Sequence, residues 1–76
     1  MFDELIRLWN TYMEAQTAEP YNPEIVQGRG MAFAQEWTAR KEDICNHLSV
    51  DEKDFSYVKT RAYMALIIRS ADAASV

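Results

Sequence analysis

The sequence is poor in the residues that stabilise small folds through covalent bonds or metals. It contains one cysteine, Cys45, and one histidine, His47. A single thiol excludes an intramolecular disulfide, and these two residues cannot supply the four ligands of a structural zinc site. A chain of 76 residues buries only about 60 % of its unfolded surface. Apolar packing must therefore hold the fold together, and self-association is the remaining source of extra stability.

Basic residues and long apolar runs are also scarce. Eight Lys and Arg stand against twelve Asp and Glu, for a net charge of −4. This balance disfavours direct nucleic-acid binding, which needs clustered basic residues. The longest apolar run, Ala62–Ile68, is far short of the roughly 20 residues that cross a bilayer. Asp3 and Glu4 stand where a signal peptide would be basic, and with the single thiol they favour a reducing, cytoplasmic setting.

The two prolines mark the clearest boundary in the chain. Pro20 cannot continue a helix, whereas Pro23 suits the first turn of the next helix, with Asn22 as its N-cap. Hydrophobic periodicity on both sides predicts an all-α fold. We expect one domain over residues 1–76, a small three-helix bundle with helices near 2–18, 24–48 and 50–73 and a frayed tail at 70–76. The last two helices would form a hairpin, joined by a capping box from Ser49 to Glu52.

The second helix carries the best-defined buried stripe. Its members recur at helical spacing: Val26, Gly30, Phe33, Ala34, Trp37, Ile44, Cys45 and Leu48. Gly28 and Gly30 leave two readings open, because each glycine costs a helix about 1 kcal/mol relative to alanine. Residues 27–30 form either a loop or part of a continuous helix, and the second reading keeps Gly30 in phase with Phe33. Trp37 is expected to be buried between the other helices.

Between Ala62 and Ile68 the third helix is apolar on nearly all sides, so it lies either at the centre of the fold or between the bundle and a partner. One face, expected to pack on the other helices, holds Phe55, Val58, Ala62, Ala65, Leu66 and Arg69. A second face holds Tyr57, Met64 and Ile68, which the other two helices would not easily cover. Exposed apolar residues of this kind favour a contact between copies of the chain. The alternative is that the first helix covers them. A dimer that survives Met64→Glu would instead place the contact at Leu8 and Tyr12 on the first helix.

No set of residues predicts catalysis, a cofactor or a metal. Cys45 and His47 are two positions apart and point to different sides of a helix, so they form no nucleophile–base pair. The acidic residues at 51, 52 and 54 are explained by the start of a helix, where negative charge is favourable. Residues 27–30 lack the preceding strand and the Lys-Ser/Thr of a phosphate-binding loop.

The sequence therefore favours an interaction protein over an enzyme. We expect a small helical module that self-associates and docks on a larger protein or assembly. The alternative is an acidic inhibitor that mimics nucleic acid and blocks an enzyme that binds DNA or RNA. Short length and an acidic pI are typical of small accessory proteins such as phages often encode, although no motif supports that comparison.

Overall fold

In a computed structural model that describes residues 2–74, the chain forms four α-helices and no strand. Helix α1 spans Asp3–Thr17, α2 spans Pro23–Ala39, α3 spans Lys41–Leu48 and α4 spans Thr60–Ala74. Two 3-10 turns, Glu52–Asp54 and Tyr57–Lys59, lie between α3 and α4. The predicted all-α class is confirmed. The arrangement differs from the predicted three helices, since the chain has one further break, at Arg40, and the break after α3 extends to Thr60.

The boundary between α1 and α2 follows the prediction. Helix α1 ends where Ala18 takes up an extended backbone (φ −70°, ψ 146°), and the Glu19–Pro20 peptide bond is cis. The Asn22 side chain accepts hydrogen bonds from the backbone N–H of Glu24 (3.1 Å) and of Ile25 (3.4 Å). Asn22 therefore satisfies two of the free amides at the start of α2.

Helix α2 runs unbroken through both glycines, so the continuous reading is confirmed. The two glycines have different surroundings. A Cβ added at Gly28 would meet nothing within 4 Å, whereas one at Gly30 would lie 3.0 Å from Cε1 of Tyr12. Gly30 thus lets the Tyr12 ring of α1 lie against the α2 backbone. The Arg29 guanidinium adds a hydrogen bond to the Thr11 carbonyl oxygen (2.9 Å).

Two predicted helix boundaries are wrong. The expected helix over 24–48 is divided at Arg40, whose backbone (φ −98°, ψ 7°) separates α2 from α3. Ser49 does not begin a helix; it ends α3 in the left-handed region (φ 57°, ψ 42°). Helix α4 begins only at Thr60 and extends to Ala74, so residues 70–74 of the tail expected to fray are helical. Residues 75–76 of the predicted tail lie outside the described residues.

The late start of α4 has a packing reason. Phe55 has an extended backbone (φ −65°, ψ 128°), and its ring centroid lies 5.2 Å from Tyr63 and 5.8 Å from Trp37. A continuous helix would carry residue 55 along the α4 axis, two turns from Tyr63. Burying a phenylalanine side chain is worth about 1.5–3 kcal/mol, which offsets the loss of a local capping box.

The core is built around aromatic side chains. It consists of Phe2, Leu5, Phe33, Trp37, Ile44, Tyr63, Met64 and Ile67. Trp37 is 2 % exposed, as predicted, and its ring lies 5.5 Å from Phe33 and 6.4 Å from Tyr63. Because Phe33 and Trp37 come from α2 and Tyr63 comes from α4, this stack joins α2 to α4.

The molecule is flat and has a large surface for its mass. Its extents are 39 × 33 × 17 Å and its radius of gyration is 13.1 Å, against about 11 Å for a compact chain of this length. The accessible surface is 5402 Å², whereas a compact monomer of this mass exposes about 4,800 Å². About 600 Å² of surface is therefore exposed in excess of what a compact monomer shows.

Candidate functional site

Helix α4 presents to solvent the face that the sequence assigned to the core. This outer face of α4, with the turn before it, consists of Val58, Ala62, Ala65, Leu66, Arg69 and Ala73, all exposed. Val58 is 94 % and Leu66 45 % exposed. The opposite side carries Tyr63, Met64 and Ile67, each at most 7 % exposed. The predicted orientation of this helix is therefore wrong.

Side-chain size explains the orientation. Both sides of α4 are apolar at helical spacing, so periodicity cannot choose between them. The buried side offers a tyrosine, a methionine and an isoleucine, while the outer face offers alanines and one leucine. Since the hydrophobic free energy scales with the apolar area removed from water, the bulky side faces the core.

The five residues predicted to form an interaction surface lie in different places. Met64 is fully buried (0 % exposed), so its placement on an exposed strip is wrong. Leu8 and Ile68 are half-buried and pack against the core. Tyr12 is half-buried beside Gly30 and stacks near Phe33, with 6.4 Å between ring centroids. Only Tyr57 is exposed, at 55 %.

Tyr57 lies beside the outer face of α4 in an aromatic–cation group. Its ring contacts Phe55 edge to face at 5.3 Å. The Lys41 ammonium lies 5.4 Å from the Phe55 centroid and 5.9 Å from that of Tyr57. A cation at this distance from aromatic faces is attracted by their quadrupoles. The group fixes the turn before α4 against the start of α3.

Charge is distributed unevenly along the chain. Residues 57–76 carry Lys59, Arg61 and Arg69 but one acid, Asp72. Because the whole chain has a net charge of −4, its first 56 residues account for a net −6. Three ion pairs occur in the described part of the chain, Glu4–Arg7, Glu36–Arg40 and Arg40–Asp43. The charges of α4 take part in none of them, so they remain available to a partner.

A cleft of about 570 Å³ lies at the end of α3. Its walls include Cys45, Ser49, Asp51 and Asp54. Cys45 is 3 % exposed, as expected for a core side chain, and its burial, with the negative charge of Glu52, raises the pKa of its thiol. A buried, protonated thiol is a poor nucleophile.

The single histidine does not join this cleft as a base. His47 lies against the Phe2 ring, edge to face, with 5.3 Å between centroids. No group of three or more His, Cys, Asp or Glu side chains placed to hold a metal occurs within residues 2–74. The cleft therefore does not bring together the groups that nucleophilic or metal-assisted catalysis needs.

Comparison with known proteins identifies no relative: no family model, curated protein or solved structure matches the chain. Among the described residues, no helix is both long and apolar enough to cross a membrane. The class defined by the fold is thus a small all-α protein, and its function has to be argued from its own surface.

Val58 and Leu66 are the candidate contact residues that sequence reasoning assigned wrongly. The difference in side-chain volume between the two sides of α4 could have identified them as exposed. The charges give the same indication, since three of the four charged residues after position 56 are basic and lie on or beside the alanine-rich side.

Proposed function

We propose that this protein is a helical protein–protein interaction module that self-associates and docks on a larger protein or assembly. One observation carries the proposal: the outer face of α4 exposes Val58 and Leu66 on a molecule with about 600 Å² more surface than a compact monomer of its mass. Exposed apolar residues gathered on one face are typical of interaction sites.

Because this face is apolar, the test must distinguish apolar contacts from contacts between charges. Contacts between exposed charges weaken as salt is added, and at about 1 M salt the screening length is only about 3 Å. Apolar contacts persist under those conditions. A complex formed through the outer face of α4 should therefore survive a high-salt wash.

Affinity purification from the native host with three baits tests the proposal. The wild type should retain a partner through a wash at about 1 M salt, and Leu66→Glu should lose it. Ile25→Glu is the matched control, since Ile25 on α2 is 47 % exposed and Leu66 is 45 % exposed. Failure to capture any partner, or capture that Leu66→Glu leaves unchanged, would contradict the proposal.

The acidic inhibitor is the second candidate, and it has an observation of its own. Five acids are exposed on α3 and the following turn: Glu42, Asp43, Asp51, Glu52 and Asp54. A mimic of nucleic acid would bind a basic enzyme through such charges. Its complex should dissociate in the high-salt wash and should tolerate Leu66→Glu, which is the opposite of both results expected above.

A further inference from the structure

We propose that the outer face of α4 binds the same face of a second copy, with the two helices antiparallel about a twofold axis between residues 65 and 66. This inference rests on the proposed function and names the partner of that face. It uses two observations: the spacing of residues on the face and the charges beside it.

The spacing of residues on the face is the same in both directions from the proposed axis. In an antiparallel pair centred between residues 65 and 66, Ala65 lies opposite Leu66 of the second copy. Ala62 then lies opposite Arg69. Each larger side chain meets an alanine, so the two helices can approach closely. A surface that is complementary to itself is what a twofold interface requires.

The charges at the edge of the face complement each other in the same arrangement. Arg61 and Asp72 are eleven residues apart, which is close to three helical turns, so they lie on one edge of α4. Reversal of the helix direction brings Arg61 of one copy beside Asp72 of the other. The twofold axis makes this pair occur twice. Parallel α4 helices would instead place Arg61 beside Arg61.

Arg69 is the one charged residue within the face. Opposite it lies Ala62 of the second copy, whose small side chain leaves room for the arginine stem to cover apolar surface while the guanidinium reaches water. Its charge is therefore compatible with the contact. The two copies of Arg69 are separated along the helix axis by roughly 10 Å, at 1.5 Å per residue.

The available area sets the strength of the dimer. The contact would involve one exposed face of a single 15-residue helix, and interfaces smaller than about 1,200 Å² are typical of weak, transient complexes. The dimer is therefore expected to be in reversible equilibrium with monomer in the micromolar range. Leu66, next to the axis, is the side chain on which the contact depends most.

Sedimentation equilibrium on the purified chain tests the proposal with two sets of variants. The wild type should show a monomer–dimer equilibrium. Leu66→Glu should raise the dissociation constant roughly tenfold or more, because two carboxylates would meet at the axis, while Ile25→Glu should leave it unchanged. Arg61→Asp should weaken the dimer, and Arg61→Asp combined with Asp72→Arg should restore it. Circular dichroism confirms that each variant is folded.

Three results would overturn the inference. A strictly monomeric wild type removes the dimer. A dimer that resists Leu66→Glu places the contact on another surface. Loss of the dimer in Arg61→Asp without recovery in the double variant excludes the antiparallel arrangement. A monomeric wild type that still retains a host partner through Leu66 would overturn this inference alone and leave the proposed function in place.

Discussion

At the scale of single residues, Trp37 is central to stability. Its side chain is 2 % exposed, and its Nε1 is buried without a hydrogen-bond partner among residues 2–74. Trp37→Ala should lower the free energy of unfolding by about 3–5 kcal/mol, as for other large buried aromatics. For a small domain that loss approaches the whole stability.

Trp37→Phe separates the two contributions of this residue. Phenylalanine keeps a ring in the stack and removes a buried N–H whose desolvation costs about 1–3 kcal/mol when unpaired. The loss of stability should therefore be clearly smaller than for alanine. Urea denaturation followed by circular dichroism measures both variants. Equal losses for alanine and phenylalanine would show that a phenyl ring does not replace the indole ring in the stack.

Cys45 should be protected from chemical modification in the native protein. It is 3 % exposed, and burial, with the nearby carboxylate of Glu52, raises the pKa of its thiol. Because the thiolate is the reactive form, iodoacetamide should modify the native chain only as fast as it opens. Mass spectrometry compares the rate in buffer with that in guanidinium chloride. Comparable rates in the two would show that the thiol is accessible.

Sequence reasoning succeeded for residues whose role is set by their immediate neighbours. Asn22 is an N-cap because Pro23 follows it, and Trp37 and Cys45 are buried because α2 and α3 each have one apolar stripe. Reasoning failed for Met64 and Leu66, since both lie on apolar stripes of the same helix. Which of the two is buried depends on the side chains that α1 and α2 can accommodate. The local sequence carries no information about that packing.

At the scale of secondary structure, the two glycines of α2 provide a matched pair. Gly28→Ala should raise the free energy of unfolding by about 0.5–1 kcal/mol, because alanine favours helix and nothing lies within 4 Å of the new Cβ. Gly30→Ala gains the same propensity but places its Cβ 3.0 Å from the Tyr12 ring. Overpacking of this kind costs about 1–3 kcal/mol, so this variant should be less stable than Gly28→Ala.

Chemical denaturation of the two glycine variants measures this difference directly. Gly30→Ala combined with Tyr12→Leu is the control, since leucine removes the ring that the Cβ meets. Equal stabilisation by both alanines would show that α1 and α2 do not approach each other as closely as Gly30 indicates.

The backbone at the end of α3 is slightly strained, and a substitution can remove the strain. Ser49 has φ 57° and ψ 42°, a conformation that costs residues with a Cβ roughly 1–2 kcal/mol and that glycine adopts freely. Ser49→Gly should therefore stabilise the protein by about 1 kcal/mol. Ser49→Ala, which keeps the Cβ, should give no gain. Thermal denaturation measures both, and a gain from alanine would contradict the explanation.

The segment between α3 and α4 shows why helix boundaries were harder to predict than helices. Ser49 to Glu52 matches a capping box, but the local pattern competes with the position of Phe55 in the aromatic core. The tertiary contact determines the structure, because burial of an aromatic ring contributes more to stability than one helix cap does. A rule that considers only neighbouring residues cannot include the distance from Phe55 to Tyr63.

At the scale of the whole molecule, composition was sufficient to predict the fold class but not to predict which residues lie on the surface. One thiol, few glycines and helical periodicity together indicate a small all-α domain. The flat shape and the excess area depend on how four short helices pack, and α4 contacts the core through the buried Tyr63, Met64 and Ile67, with Ile68 half-buried beside them. The candidate site is therefore a product of packing, which explains why sequence reasoning assigned the exposed face to the wrong side of α4.

Self-association should also appear in the stability of the molecule. Anything that binds the folded chain and not the unfolded chain stabilises it by mass action, and here the ligand is the protein itself. Above the dissociation constant, a hundredfold increase in concentration should add about 1 kcal/mol per protomer and raise the thermal midpoint by roughly 4–8 °C. Leu66→Glu should have a midpoint that does not depend on concentration, whereas Ile25→Glu should follow the wild type. Differential scanning calorimetry across this range makes the comparison. A wild-type midpoint that does not change with concentration would mean that the chain unfolds from the monomer. The outer face of α4 would then be exposed in the folded protein, and folding would not be coupled to a second copy.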